Sequence, residues 1–125
     1  MLIGFYRRAM PRDAGLRSAF LGEFEQMLLL AILQAGDQAY AQAILKELDL
    51  RAGRRTDRGA MYTTLDRLYA KGLIDWTVEV GSPARGGRRR RLFRVCPAGL
   101  EALRASRSAL MRLWDGLESL LSDPA

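Results

Sequence analysis

The stretch Gly59 to Ile74, GAMYTTLDRLYAKGLI, carries apolar residues at helical spacing up to a glycine stop at Gly72. Two β-prone runs follow, Leu73 to Val80 and Leu92 to Val95, and they bracket Gly81, Ser82, Pro83, Gly86 and Gly87. The second half of that hairpin holds Arg85, Arg88, Arg89, Arg90, Arg91 and Arg94. A helix running at once into an arginine-rich hairpin leaves few architectures open, and it points toward a polyanionic partner and away from catalysis.

Two helices precede this unit. EFEQMLLLAILQA, Glu23 to Ala35, opens with acids and stops at Gly36; its middle is apolar nearly all round, which predicts the central helix. Tyr40, Ile44 and Leu48 recur four apart and predict a second helix ending near Leu50. The link RAGRR, Arg51 to Arg55, is a basic turn, after which Thr56 or Asp57 can cap the third helix. On that helix Met61, Leu65, Leu68, Tyr69 and Gly72 share one face, Gly59, Thr63 and Arg67 lie opposite, and Tyr62 sits on the flank. Trp76, in the first hairpin strand, reads as a cover over the core.

Pro97 suits the first position of a last helix predicted to reach Leu121, about 37 Å long at 1.5 Å per residue. Leu103, Ser106, Leu110, Leu113, Leu117 and Leu120 alternate by three and four along it, a heptad seam that two copies of the chain could share, with Trp114 beside it. The predicted fold is mainly α with a small β-hairpin, a winged helix-turn-helix with a long C-terminal dimerisation helix. It divides into a loosely ordered or partly helical arm over residues 1–20, a DNA-binding domain over 21–96, a dimerisation helix over 97–121 and a tail over 122–125. Met10 offers a second possible translation start.

With 125 residues and a net charge of +6, the chain has material for one core and surplus positive charge. Lys46 and Lys71 are its only lysines; arginine's planar fork suits phosphate and guanine better than an ammonium does. There is no histidine, and the lone Cys96 can form neither a metal pair nor an internal disulfide, so zinc sites and the usual nucleophilic triads are excluded. Glu23 and Glu25 read as helix-start residues, no phosphate-binding glycine loop is present, and no cofactor is expected. No segment is long enough to span a bilayer, and single-cysteine usage fits a reducing, cytoplasmic setting.

Read as a DNA-binding surface, the third helix would turn Thr63 and Arg67 to base edges in the major groove. Arg55, Thr56, Arg58, Gly59 and Tyr62 would then lie near the backbone, and Arg85, Arg88, Arg89 and Arg90 of the wing would meet phosphates or a minor groove. Strand alternation lets only some of these arginines point the same way. The competing readings are an ordinary amphipathic helix beside a solvated basic hairpin, and a winged-helix module that binds a protein partner through its leucine seam. Cys96, at a helix start near arginines, reads either as a small substitute for threonine or as a low-pKa redox sensor.

From Leu21 to about Leu121 the chain resembles the PadR-like transcriptional regulators. The likeness rests on LGEFEQMLLLAIL, GRRTDRGAMYTTLDRLYAKGLI, RGGRRRRLFRVCPAG and the Trp114-containing tail. The resemblance implies a homodimeric repressor on a palindromic operator, released by a small hydrophobic effector. It also implies that Trp114 lines the effector pocket at the dimer interface. The family usually has a threonine where this chain has Cys96, which removes a helix-capping hydroxyl, and commonly a glycine at Ala41.

Overall fold

A computed structural model of the chain describes residues 21–81 and 86–122, together with the backbone of residues 2–5. Helix α1 (Glu23–Ala35) buries Leu28, Leu29, Ala31 and Ile32 and contacts every other helix. Its first turn is closed by Glu25, whose Oε1 accepts the Gly22 N–H at 2.9 Å, and it ends where Gly36 turns to φ +62°. Helix α2 (Ala41–Ala52) buries Ala41, Ile44 and Leu48. It outlasts the expected end near Leu50 because Gly53, at φ +61°, donates its N–H to the Asp49 carbonyl and closes the last turn.

Helix α3 (Arg58–Ala70) is capped by Asp57, not Thr56, with Asp57 Oδ2 accepting the Ala60 N–H at 3.1 Å. Met61, Leu65 and Leu68 are fully buried, while Gly59, Thr63 and Arg67 are exposed, as the 3.6-residue period requires. Strands β2 (Ile74–Glu79) and β3 (Arg90–Val95) pair antiparallel from Ile74 opposite Val95 to Glu79 opposite Arg90. The Phe93 N–H donates to the Ala39 carbonyl at 2.9 Å, which ties the hairpin to the entry of α2.

Two boundaries differ from the sequence reading. Leu2–Phe5, assigned there to a loosely ordered or partly helical arm, forms a strand, β1, antiparallel to β2 with Leu2 opposite Glu79 and Phe5 opposite Thr77. The free edge of β2 offers unpaired backbone groups, and LIGF is β-prone enough to take them. The rest of the 1–20 arm, and 123–125 of the tail, lie outside the described residues. Helix α4 spans Pro97–Trp114, about 27 Å, and stops well short of Leu121. Asp115 leaves the helical region and Gly116 adopts φ +80°, after which only a short 3₁₀ turn, Glu118–Leu121, forms. At its other end α4 lies directly on the turn after α3, because Gly99 has no side chain: a Cβ there would meet the Leu73 carbonyl oxygen at 2.4 Å.

Candidate nucleic-acid interface

The outward row of α3 is built from the cap inward. With Asp57 fixing the first turn, Arg58 and Gly59 emerge exposed beside the exposed Arg55. Thr63 is exposed and donates its hydroxyl to the Gly59 carbonyl at 3.0 Å, which commits that proton within the helix. Tyr62 is half-buried, its ring 6.4 Å from that of Phe93 on β3, so helix and wing are laterally joined. Thr56 is half-buried and reaches the Arg54 carbonyl at 3.4 Å, a local turn contact.

Ion pairing sorts the arginines into two groups. In the last turns of α2 Arg51 pairs with Glu47 at 2.6 Å, while in the α2–α3 link Arg54 reaches Glu23 at 3.4 Å and covers the Phe24 ring at 4.5 Å. In the wing, Arg90 binds Glu79 at 3.0 Å and stacks on Tyr40 at 3.6 Å, and Arg94 lies 3.5 Å from Asp75. Glu79 also accepts a short hydrogen bond from the Tyr40 hydroxyl. Burial first, and then this carboxylate, push the Tyr40 phenol above its ordinary range. By contrast Arg55, Arg58, Arg67 and Arg89 are exposed and make no ion pair among the described residues. Arg88 is exposed beside Arg89 at the entry to β3, and Arg85 lies outside the described residues.

The expected wing residue Arg90 is therefore committed to the protein itself. Its register explains why. Asp75, Thr77 and Glu79 share one face of the sheet with Arg90, Leu92 and Arg94, and opposite charges sit directly across the ladder. The sequence reading missed these pairs because the signal is the register, and the register depends on how the loop between Val80 and Arg88 closes. Arg91 points to the other face, toward α3, where its guanidinium lies 4.4 Å from the Trp76 ring. Trp76 is half-buried and packs against the core, as its place in the first strand implied.

Cys96 occupies the cap position of α4 but makes no side-chain capping bond. Burial, then a hydrogen bond to Asp75 and the charge of that carboxylate, push its thiol up to about 11, with Arg94 opposing only weakly. A low-pKa sensor is the reverse of this arrangement. Alkylation by iodoacetamide should be slow at pH 8, where roughly one thiol in a thousand is ionised, and should accelerate about tenfold per pH unit toward pH 10. A fast reaction that levels off near pH 8, followed by mass spectrometry, would contradict the assignment.

The expected seam divides at mid-helix. Leu103 packs against the core and Ser106 is buried, so both belong to the internal face of α4. Leu110, Leu113 and Trp114 are exposed at the helix end, while Leu117 and Leu120 lie past Gly116 and fall off the helical seam. Leu30 and Leu33 of α1, with Leu100, Leu103, Leu110, Met111 and Trp114 of α4, line a cleft of about 470 Å³ rimmed by Gln26, Arg104 and Arg107. Among the described residues no helix is long and apolar enough to cross a membrane, and no acid, cysteine or histidine cluster could hold a metal.

Three helices, a positioned third helix and a hairpin wing define a winged helix-turn-helix protein. Residues 29–105 match the transcriptional regulator PadR-like family, and the chain belongs to that family. It is 38% identical over 79 residues to the transcriptional regulator Rv3488 of Mycobacterium tuberculosis, spanning 63% of this chain and 69% of that protein. Among solved structures it is similar to a PadR family transcription regulator from Clostridium difficile, with TM-score 0.61 and 22% identity over 79% of this chain and 99% of the other. A PadR-like regulator from Bacillus cereus gives TM-score 0.60 and 21% identity, covering 81% of this chain and 93% of its own.

Proposed function

We propose that this chain is a sequence-specific DNA-binding repressor that acts as a homodimer on a palindromic operator. The observation that carries the reading is the sorting of arginines: Arg55, Arg58 and Arg67 at α3 and Arg89 at the entry to β3 are exposed and make no ion pair among the described residues, while Arg90 and Arg94 are neutralised internally. Thr63 and Arg67 meet base edges, Arg55, Arg58, Tyr62, Arg88 and Arg89 meet phosphates, and Gly59 keeps the helix surface open for close approach. The exposed end of α4, Leu110, Leu113 and Trp114, joins two copies. A small hydrophobic effector enters the cleft beside Trp114 and releases the operator.

The test is fluorescence anisotropy on duplex DNA from upstream of the chain's own coding region, with unrelated DNA as competitor. A complex that survives competitor is expected. Arg67→Ala should reduce discrimination between operator and unrelated DNA by about 1–3 kcal/mol, whereas Arg89→Ala should weaken all duplexes alike. Equal losses of both kinds from each variant would sink that division of roles. Weak binding to every duplex, with a tight protein partner on the α4 leucines, would instead favour a winged-helix interaction module.

A further inference from the structure

Arg91 differs from every other arginine of the wing. It is half-buried, it makes no ion pair among the described residues, and its guanidinium carbon lies over two aromatic rings, Trp76 at 4.4 Å and Tyr62 at 5.9 Å. Those two rings come from different elements, Trp76 from β2 and Tyr62 from α3. Each is held from behind, since Tyr69 lies 5.9 Å from Trp76 at a 47° tilt and Phe93 lies 6.4 Å from Tyr62 at 58°. The set Tyr69, Trp76, Arg91, Tyr62 and Phe93 thus forms one continuous cation–aromatic seam, two turns of α3 long, between recognition helix and wing. A guanidinium laid on ring faces contributes more when it is partly desolvated, and its planar shape fills the gap as an ammonium would not.

We propose that Arg91 is a positioning residue that sets the angle between wing and third helix, and that it does not itself contact DNA. Resting on the DNA-binding reading, this assigns the register of Arg88 and Arg89 relative to Thr63 and Arg67 to a half-buried contact between strand and helix. A phosphate ligand and a positioning residue have different salt signatures. Loss of a phosphate contact made by Arg91 itself would lower the slope of log affinity against log salt by about 0.9 in every uncharged variant, whereas a change of angle is reversed by an uncharged side chain that refills the seam.

Arg91→Ala should weaken operator binding about tenfold. Arg91→Met should recover most of that loss, because an unbranched thioether packs on the same rings without a charge. Arg89→Ala should lower the slope. A second readout needs no DNA: in a Trp114→Phe background, acrylamide quenching of Trp76 should rise about twofold in Arg91→Ala and stay near the parent value in Arg91→Met. A fall in slope for Arg91→Ala, with no rescue by methionine, would make Arg91 a phosphate ligand and overturn the proposal, as would unchanged affinity or unchanged quenching. Should the parent protein bind no duplex at all, the regulator reading fails, while the quenching series still decides whether Arg91 joins wing to helix.

Discussion

Duplex binding by this chain should fall by about a thousandfold to a hundred-thousandfold between 50 and 200 mM salt, the loss expected for six to ten neutralised phosphates. On the proposed reading, the exposed cations produce that steepness. Arg55, Arg58, Arg88 and Arg89 are exposed at the α3 entry and the wing, and two copies of such a set reach the required number. Arg90 and Arg94 carry the same formal charge but already lie against Glu79 and Asp75, so each pair presents little net charge to a phosphate. Replacing Arg88 and Arg89 together by alanine should lower the slope by about 1.8 per protomer, and by about twice that if a dimer binds. Replacing Arg90 or Arg94 should leave it within error, although Arg90→Ala also removes a stacking partner of Tyr40. A flat salt profile, or a slope carried by Arg90 and Arg94, would mean that the exposed arginines do not meet phosphates.

The same sorting shows what the sequence could and could not carry. The three helices and the hairpin were legible because their signals are local: Gly36 and Gly72 stop helices at positive φ, and an apolar stripe at 3.6-residue spacing fixes the buried face of α3. Gly59, Thr63 and Arg67 fell on the outward face for the same reason. The split among the wing arginines was only half legible. Alternation guaranteed that they would divide between two faces, but the partners depend on cross-strand register, which brings Glu79 to Arg90 and Asp75 to Arg94. The C-terminal seam misled for a related reason. Leucines at three-and-four spacing continue to Leu120, yet Asp115 and Gly116 break the helix beneath them, and periodicity alone does not weigh a glycine against a run of leucines. Strand β1 was hidden because a four-residue apolar run has no period to read, and only the free edge of β2 selects its conformation.

Removing the ammonium of Lys71 should cost more than removing the carboxylate it binds. Glu25 lies on the first turn of α1, with its side chain 8% exposed, and its Oε2 takes the Lys71 Nζ at 2.7 Å; Lys71, at the end of α3, is 35% exposed. Burial pushes the Glu25 carboxyl up, but the Lys71 and Gly22 hydrogen bonds, with the charges of Lys71 and Arg67, outweigh it and hold the group below its ordinary value of 4.5. A carboxyl whose folded value is depressed stabilises the protein above its unfolded value, and that contribution is lost as pH falls through the folded one. Lys71→Met leaves a buried carboxylate with only the Gly22 N–H and Arg67 to offset burial. At pH 7 this should cost about 2 kcal/mol, less than for a fully enclosed pair because the lysine is partly solvated. Glu25→Gln keeps an acceptor for Gly22 and frees an ammonium that can reach water, so its cost should stay below about 1 kcal/mol. The pH dependence separates the two mechanisms. In Lys71→Met the Glu25 carboxyl should titrate at a higher pH than in the parent, so the deficit narrows as pH drops below about 4.5, where protonation relieves the stranded charge. Glu25→Gln should also converge on the parent there, since the parent's own ion pair is then being lost. Urea unfolding at pH 7 and pH 4 reads both, and a Lys71→Met deficit that is small at pH 7 or grows on acidification would show that the ion pair does not hold the start of α1 to the end of the recognition helix.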